Sequence, residues 1–293
     1  MYGIVRPLPI RQASLNPRRC MALSLRYTGQ TTVPVEIEGL TPQLVRQQSL
    51  GEIERFEIFH GNRKLPLAEM FQLSGDPSDG QMHFEGDLSG VHWIGAHMSD
   101  GRIEIHGNAG RHLGSEMTGG EIHVEGDAGD WVGGEMHGGL IHVRGRAGHL
   151  IGAAYRGSRR GMTGGTILIG GSVGNETGHT MRRGWITIGG AAGDMVGFNL
   201  IAGTILVLGE CGIRPGAGMR RGTIGLFGKP PDELLPTFRH ACRFRPPMLP
   251  LIAQRLASHK FTFDATLVDR PVDLYHGDFL EGGRGEILIG VEG

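Results

Sequence analysis

The stretch GRIEIHGNAGRHLGSEMTG, residues 101–119, is followed at once by GEIHVEGDAGDWVGGEMHG, residues 120–138. The pattern returns in GTILIGGSVGNETGHTMRR (165–183), GWITIGGAAGDMVGFNLIA (184–202) and GTILVLGECGIRPGAGMRR (203–221), and stops on the half-unit GTIGLFG (222–228). The unit at 139–164 carries seven extra residues, YRGSRRG, and the opening unit at 80–100 carries two. A fixed period of 19 residues built from short alternating runs is the signature of a solenoid. The pattern predicts a mainly β fold over residues 80–228, a right-handed parallel β-helix with 19-residue coils.

The ladders predict where side chains point. Ile103, Ile122, Ile141, Ile167, Ile186, Ile205 and Ile224 share one position, and Ile105, Val124, Val143, Ile169, Ile188, Val207 and Leu226 follow two residues on. A spacing of two along a strand places both ladders on one face, here the interior. A third, small ladder runs through Ala109, Ala128, Ala147, Val173, Ala192 and Cys211. A fourth, Leu113, Val132, Ile151 and Val196, is broken by Thr177 and Pro215, and each of its positions is followed by glycine. Those glycines mark corners, where a positive φ or a close approach of stacked backbones is needed. At about 4.8 Å per coil, seven and a half coils predict a rod of roughly 35 Å. Its two ends are open edges that the flanking segments must cap.

The outward positions change character along the rod. They begin charged (Arg102, Glu104, His106; Glu121, His123, Glu125) and become apolar or small (Thr166, Leu168, Gly170; Trp185, Thr187; Thr204, Leu206, Leu208). An apolar outward face must be covered, either by the C-terminal segment or by another chain.

Composition excludes several classes. The 52 glycines have no third-residue period, so this is not collagen. With 29 basic against 30 acidic residues, nucleic-acid binding has no global electrostatic support. No apolar run approaches the ~20 residues of a membrane span. Three scattered cysteines, Cys20, Cys211 and Cys242, form no C-x-x-C, and their odd number fits a reducing cytoplasm.

Four segments are expected. Residues 1–21 read as a poorly ordered leader, with Met21 an alternative start. Residues 22–79 read as a small α/β N-terminal domain, residues 80–228 as the β-helix, and residues 229–293 as a C-terminal helix/strand extension. In the N-terminal domain ALSLRY, PVEIEGL and IERFEIFHG alternate as strands do, and Thr41-Pro42 suits a helix start. In the extension PPDELLPTFRHA and LPLIAQRLASH are predicted helices, and FTFDATLVD and GEILIG are predicted strands.

The spacing G-x-I-x-V-x-G-x-A-G-x-x-V-G resembles the β-helix module of two families, the C-terminal domain of glutamate synthase and the C subunit of formylmethanofuran dehydrogenase. The flanks PVEIEGLTPQLV, GNRKLPLAEMFQLSG and HGDFLEGGRGEILIG resemble the second of these, so that the resemblance covers residues 22–293. It implies a scaffold subunit in a hetero-oligomer whose chemistry lies on other chains. Two complexes carry such a subunit. One is the bacterial formyltransferase/hydrolase complex, with a formyltransferase subunit and an amidohydrolase-like subunit as partners. It moves formyl groups between tetrahydromethanopterin and a methanofuran analogue on the way to formate. The other is the molybdenum or tungsten formylmethanofuran dehydrogenase. The excess of arginine over lysine favours the bacterial complex. No cofactor is expected on this chain alone; the methanofuran-type carrier belongs to the complex.

Candidate chemistry on the chain itself is thin. His83, His123 and His142 share an outward column with Glu104, and imidazoles with a carboxylate suit zinc. A solvated strand face explains them equally, and no metal is assigned. Cys211 sits in a small inward ladder and reads as a buried hydrophobe rather than a nucleophile. Asp127, Asp130 and Asp194 occupy repeated loop positions and read as turn residues rather than glycosidase carboxylates. The glycine strings contain no phosphate-loop motif. One pattern has no structural reason in the period. Arg182–Arg183 and Arg220–Arg221 fall at the same coil position two coils apart, and Arg159–Arg160, with Arg156, protrude in the insertion. If the insertion folds back, the pairs line one edge of the rod. Guanidinium groups bind carboxylates bidentately, and the family's carriers bear glutamate-rich tails. The resemblance therefore makes these six arginines a candidate track for a polyglutamate tail.

Overall fold

The computed structural model describes residues 22–291, so the expected leader at 1–21 lies outside the described residues. The chain enters through β1 (Leu23–Tyr27) and β2 (Val35–Glu36), two short helices α1 (Pro42–Val45) and α2 (Leu50–Glu54), then β3 (Glu57–His60), β4 (Arg63–Pro66) and β5 (Phe71–Ser74). Thr41 is the N-cap of α1 with Pro42 behind it, as the sequence predicts, although the Thr41 hydroxyl makes no capping bond. Ser49 opens α2 with a reciprocal capping box to Glu52, which satisfies two of the orphan backbone donors of the first turn.

The repeats supply β6 (Gln81–Glu85), β7 (Val91–His92), β8 (Arg102–His106), β9 (Glu121–Val124), β10 (Leu140–Val143), β11 (Thr166–Ile169), β12 (Trp185–Ile188), β13 (Thr204–Val207) and β14 (Arg221–Leu226). From β6 through β8 to β14 every neighbouring pair of these strands is parallel, and the register matches the ladders: Ile103 on Ile122, Ile122 on Ile141, Ile141 on Ile167, Ile167 on Ile186, Ile186 on Ile205, Ile205 on Ile224. All seven isoleucines are fully buried. At about 1.5–3 kcal/mol per buried aliphatic side chain, this column is a principal source of stability. The small ladder pairs through isolated bridges, Ala109 with Ala128 and Ala192 with Cys211.

A column of methionines, Met98, Met117, Met136, Met162, Met181 and Met219, with Leu200 between the last two, is also fully buried. Their flexible thioethers fill the space left open by corner glycines. Gly139, for example, has φ +89°, and a Cβ there would lie 2.7 Å from both the Gly120 carbonyl oxygen and Met117 Cε.

The corners hold a second regularity. Trp93, His112, Trp131, Leu150, Glu176, Met195 and Arg214 all adopt positive φ between +56° and +64°. Each left-handed residue costs roughly 1–2 kcal/mol. The offset is a backbone bond to the next unit, such as Trp93 N–H to the Arg111 carbonyl at 3.0 Å and His112 N–H to the Asp130 carbonyl at 2.9 Å.

Both ends of the stack are capped by strands of the flanks. At one end β1 pairs parallel with β6 and antiparallel with β5. At the other, β17 (Arg284–Gly290) pairs parallel with β14 and is followed by antiparallel β16 (Val272–Gly277) and β15 (Arg239–Phe244). The result is a 13-stranded, mostly parallel sheet; a four-stranded sheet, β4-β3-β2-β7, lies beside its start. One hydrophobic cluster runs from Leu23 and Phe71 through the isoleucine column to Ile287.

The extension differs from expectation in two places. PPDELLPTFRHA is a turn leading into β15, not a helix: Pro236 interrupts any helical run, and β16 offers Arg239–Phe244 a partner edge. FTFDATLVD is not a strand but an extended stretch and a 3₁₀ turn (Ala265–Asp269), opened by the Asp264 carboxylate, which accepts from Thr266 N–H. LPLIAQRLASH does form a helix, α3 (Leu249–Ser258). It covers the apolar outward face: Leu168 and Leu206 are buried, and they pack in clusters with Leu249, Leu256 and Phe261. The chain itself provides this cover.

Candidate functional site

Backbone register places Arg182 and Arg220 in one column. Arg182 N–H donates to the Met162 carbonyl, Ile201 N–H to the Met181 carbonyl and Arg220 N–H to the Leu200 carbonyl, so Ile201 stands between the two arginines. Arg182, Arg183, Arg220 and Arg221 are all exposed, as are Arg156, Arg159 and Arg160. The insertion does fold back: Gly161 N–H donates to the Thr180 carbonyl at 3.0 Å, two residues before Arg182. Of the six candidate arginines, Arg220 is engaged within the chain, its Nε 3.2 Å from Glu281 Oε2.

What fixes the insertion is an aromatic cluster that sequence reasoning misses. The left-handed corner positions place Trp93, His112 and Trp131 above one another, with ring centroids 4.1 and 5.5 Å apart. Tyr155, the first residue of the insertion, lies across them. Its hydroxyl is 2.6 Å from Ser115 Oγ and 3.0 Å from His112 Nδ1. The Glu135 carboxylate accepts from Tyr155 N–H. Burial drives the His112 pKa down to about 4 and the Tyr155 pKa up to about 12, so both are neutral at pH 7. The signal in the sequence is the 19-residue spacing of three ring-bearing residues at a corner.

The histidine column is as expected: His83 opposes Glu104, Glu104 opposes His123, and His123 opposes His142. Among the described residues the group with ligand atoms close enough to consider for a metal is a different one, His83, Glu104 and His106, whose ligand atoms lie within 4.8 Å of one another. Tetrahedral zinc with bonds of ~2.0–2.1 Å needs ligand atoms about 3.3 Å apart. The trio would have to close in, and its members have other partners. Arg102 Nε lies 2.8 Å from Glu104, and His106 Nδ1 lies 3.3 Å from Glu125.

The remaining candidates have structural roles. Asp127, Asp130 and Asp194 each accept a backbone N–H from the next unit, those of Arg146, His149 and Ile213, at 2.7–3.0 Å. They are rung-to-rung ties, not a catalytic pair. Cys211 is 4% exposed, and burial pushes its thiol up to about 12, which leaves no thiolate at neutral pH. Among the described residues no helix is long and apolar enough to cross a membrane.

A glycine-cornered stack of parallel strands extended at both ends by flanking strands defines a class, and comparison with known proteins agrees. The GXGXG motif family matches residues 89–233. A chain of the formyltransferase/hydrolase complex from Methylorubrum extorquens, solved in complex with methylofuran, superimposes with a TM-score of 0.84 at 32% identity, covering 92% of this chain and 100% of that one. The C subunit of the molybdenum-containing formylmethanofuran dehydrogenase 1 of Methanothermobacter thermautotrophicus is 42% identical over 82 residues, 28% of this chain and 20% of the relative. The C subunit of the tungsten-containing formylmethanofuran dehydrogenase 2 of Methanococcus maripaludis is 36% identical over 92 residues, 31% of this chain and 34% of the relative. The chain thus spans between a fifth and about a third of the curated relatives it matches. It belongs to the family of formylmethanofuran dehydrogenase C subunits.

Proposed function

We propose that this chain is the non-catalytic scaffold, the C subunit, of a cytoplasmic formyltransferase/hydrolase complex that handles formyl groups between tetrahydromethanopterin and a methanofuran analogue. The observation that carries this reading is the full-length likeness to a chain of such a complex, where the flanks match as well as the repeats. A free-standing hydrolase is disfavoured by the roles found for Cys211 and the three aspartates. In this reading residues 80–228 wind as a right-handed β-helix, with residues 22–79 and 229–293 as its end modules. The partners are a formyltransferase subunit and an amidohydrolase-like subunit. The 42% identity to a dehydrogenase subunit favours the second reading, a molybdenum or tungsten formylmethanofuran dehydrogenase. Mass spectrometry of the complex purified from the native source separates the two. Formyltransferase and amidohydrolase-like subunits without a molybdopterin subunit are expected. A lone chain with formyl-transferring or hydrolysing activity would refute both.

The exposed arginines take the role of a track for the carrier's glutamate-rich tail, with Arg159, Arg160, Arg182, Arg183, Arg220 and Arg221 as its members. Support comes from the common column of Arg182 and Arg220 and from the folded-back insertion. Charge reversal of Arg182, Arg183 and Arg221 in the intact complex is expected to weaken the carrier's apparent affinity at least about tenfold and to flatten its salt dependence. Unchanged carrier kinetics would remove the track, and loss of assembly would reassign the arginines to a partner contact.

A further inference from the structure

A cleft of about 640 Å³ lies between the outward face of β9–β10 and the turn that follows α3. The turn is formed by sequence. α3 ends in a Schellman-type closure, with Lys260 N–H donating to the Ala257 carbonyl and Phe261 N–H to the Leu256 carbonyl. The residue in the left-handed position, usually glycine, is Lys260, at φ +55°. This conformation seats Phe261 in the apolar cluster with Leu140, Leu168 and Leu256 and leaves Lys260 at the cleft.

The lining is basic. Arg144, His123 and His142 come from the strands, and His259 and Lys260 from the turn. The acid present, Glu121, is already held by Arg102 at 3.2 Å and by His123 at 3.2 Å. Arg144 and Lys260 are exposed and have no carboxylate partner among the described residues. His142 is only 8% exposed, yet its ring has no hydrogen-bond partner among the described residues. An imidazole that lines the cleft without a hydrogen-bond partner, beside two cations without carboxylate partners, leaves donors free for an anionic acceptor. Burial, followed by the charges of His123, Arg144 and His259, drives the His142 pKa down to about 4. The ring is therefore neutral at pH 7 and has an N–H to donate.

We propose that this cleft is a binding site for a small oxyanion, a carboxylate or a phosphate, held by Arg144, Lys260 and the imidazoles of His142 and His259. The proposal does not depend on the complex-level reading above. The fork of Arg144 would take two oxygens, Lys260 would supply the second charge, and the imidazoles would fix orientation. A metal is disfavoured by the two cations, and an apolar ligand by the polar lining.

The test is titration calorimetry on the full-length chain, with any subunits that co-purify, using citrate and, separately, inorganic phosphate. Ionic strength is held constant with chloride. Saturable binding of at least one probe is expected, and the probe preferred identifies the natural ligand as carboxylate or phosphate. Arg144→Gln should weaken it about tenfold. Lys260→Gly is the more telling variant: it relieves the left-handed strain, so the thermal midpoint should hold or rise, while anion affinity should fall about tenfold. A control that removes two positive charges elsewhere on the exposed surface, Arg63→Gln with Arg214→Gln, should bind as wild type does. Bound anion should also raise the His142 pKa, read by ring NMR, because its negative charge offsets that of the neighbouring Arg144 guanidinium. No binding above the chloride background would overturn the site. So would wild-type affinity in the Arg144 and Lys260 variants, or an equal loss in the control.

Discussion

A chain carrying Gly139→Val is expected to be recovered unfolded or aggregated. Gly139 has φ +89°, which a β-branched residue adopts only under strain. The new Cβ would also sit 2.7 Å from the Gly120 carbonyl oxygen, a backbone atom that cannot move without displacing the unit before it. Backbone strain of about 1–3 kcal/mol and overpacking of about 1–3 kcal/mol add to a large share of the ~5–15 kcal/mol that holds an ordinary domain. Gly90→Ala is the matched comparison, since nothing lies within 4 Å of a Cβ there. It should melt with the wild type by circular dichroism. A Gly139→Val protein with an unchanged melting midpoint would show that the corner is softer than its geometry implies.

The second large effect concerns the cover of the outward face. Leu256 of α3 is 2% exposed and packs with Leu140, Leu168 and Phe261. Leu256→Asp loses that packing, about 2–5 kcal/mol, and adds the cost of an unpaired carboxylate in an apolar layer. The cheapest relief is for α3 to leave the sheet while the parallel ladder stays intact. Trp185, which packs in the same cluster with the Arg255 guanidinium 6.0 Å over its ring, should then shift its emission to the red. Amide exchange over residues 249–263 should quicken, and the chain should self-associate. Leu251→Asp, at a position 67% exposed on the same helix, should do none of this. Native emission and native protection in the Leu256→Asp protein would mean that α3 is not what shields the face.

The ladders are legible because a repeating backbone forces identical environments on residues 19 apart. Ile103 and Ile122 reveal their facing simply by recurring. The Asp127 and Asp194 ties recur for the same reason, and their loop position in the sequence already argues against a catalytic pair, in agreement with the bonds to Arg146 and Ile213. The methionine column is equally periodic but lies at a corner rather than in a strand, where no alternation reveals the facing. Non-repeating segments offer no such check. The helix expected over PPDELLPTFRHA fails because β16, distant in sequence, supplies an edge that local propensity does not register. The cleft beside His142 is invisible in the sequence for a similar reason. His123 and His142 stand out as a column, but only the fold of α3 brings His259 and Lys260 over them.

The unit at 139–164 is longer than its neighbours, yet Leu140 pairs with Glu121 on one side and Thr166 on the other without loss of phase. Length added at that corner leaves the pitch of the stack untouched, whereas adding or removing a whole unit changes the end-to-end distance by one strand spacing, about 4.8 Å. The shaft is therefore a gauge graduated in fixed increments. The strands that cap its opposite ends, β1 and β17, are held apart by a number of graduations, and deleting one complete unit would bring them closer by a single step.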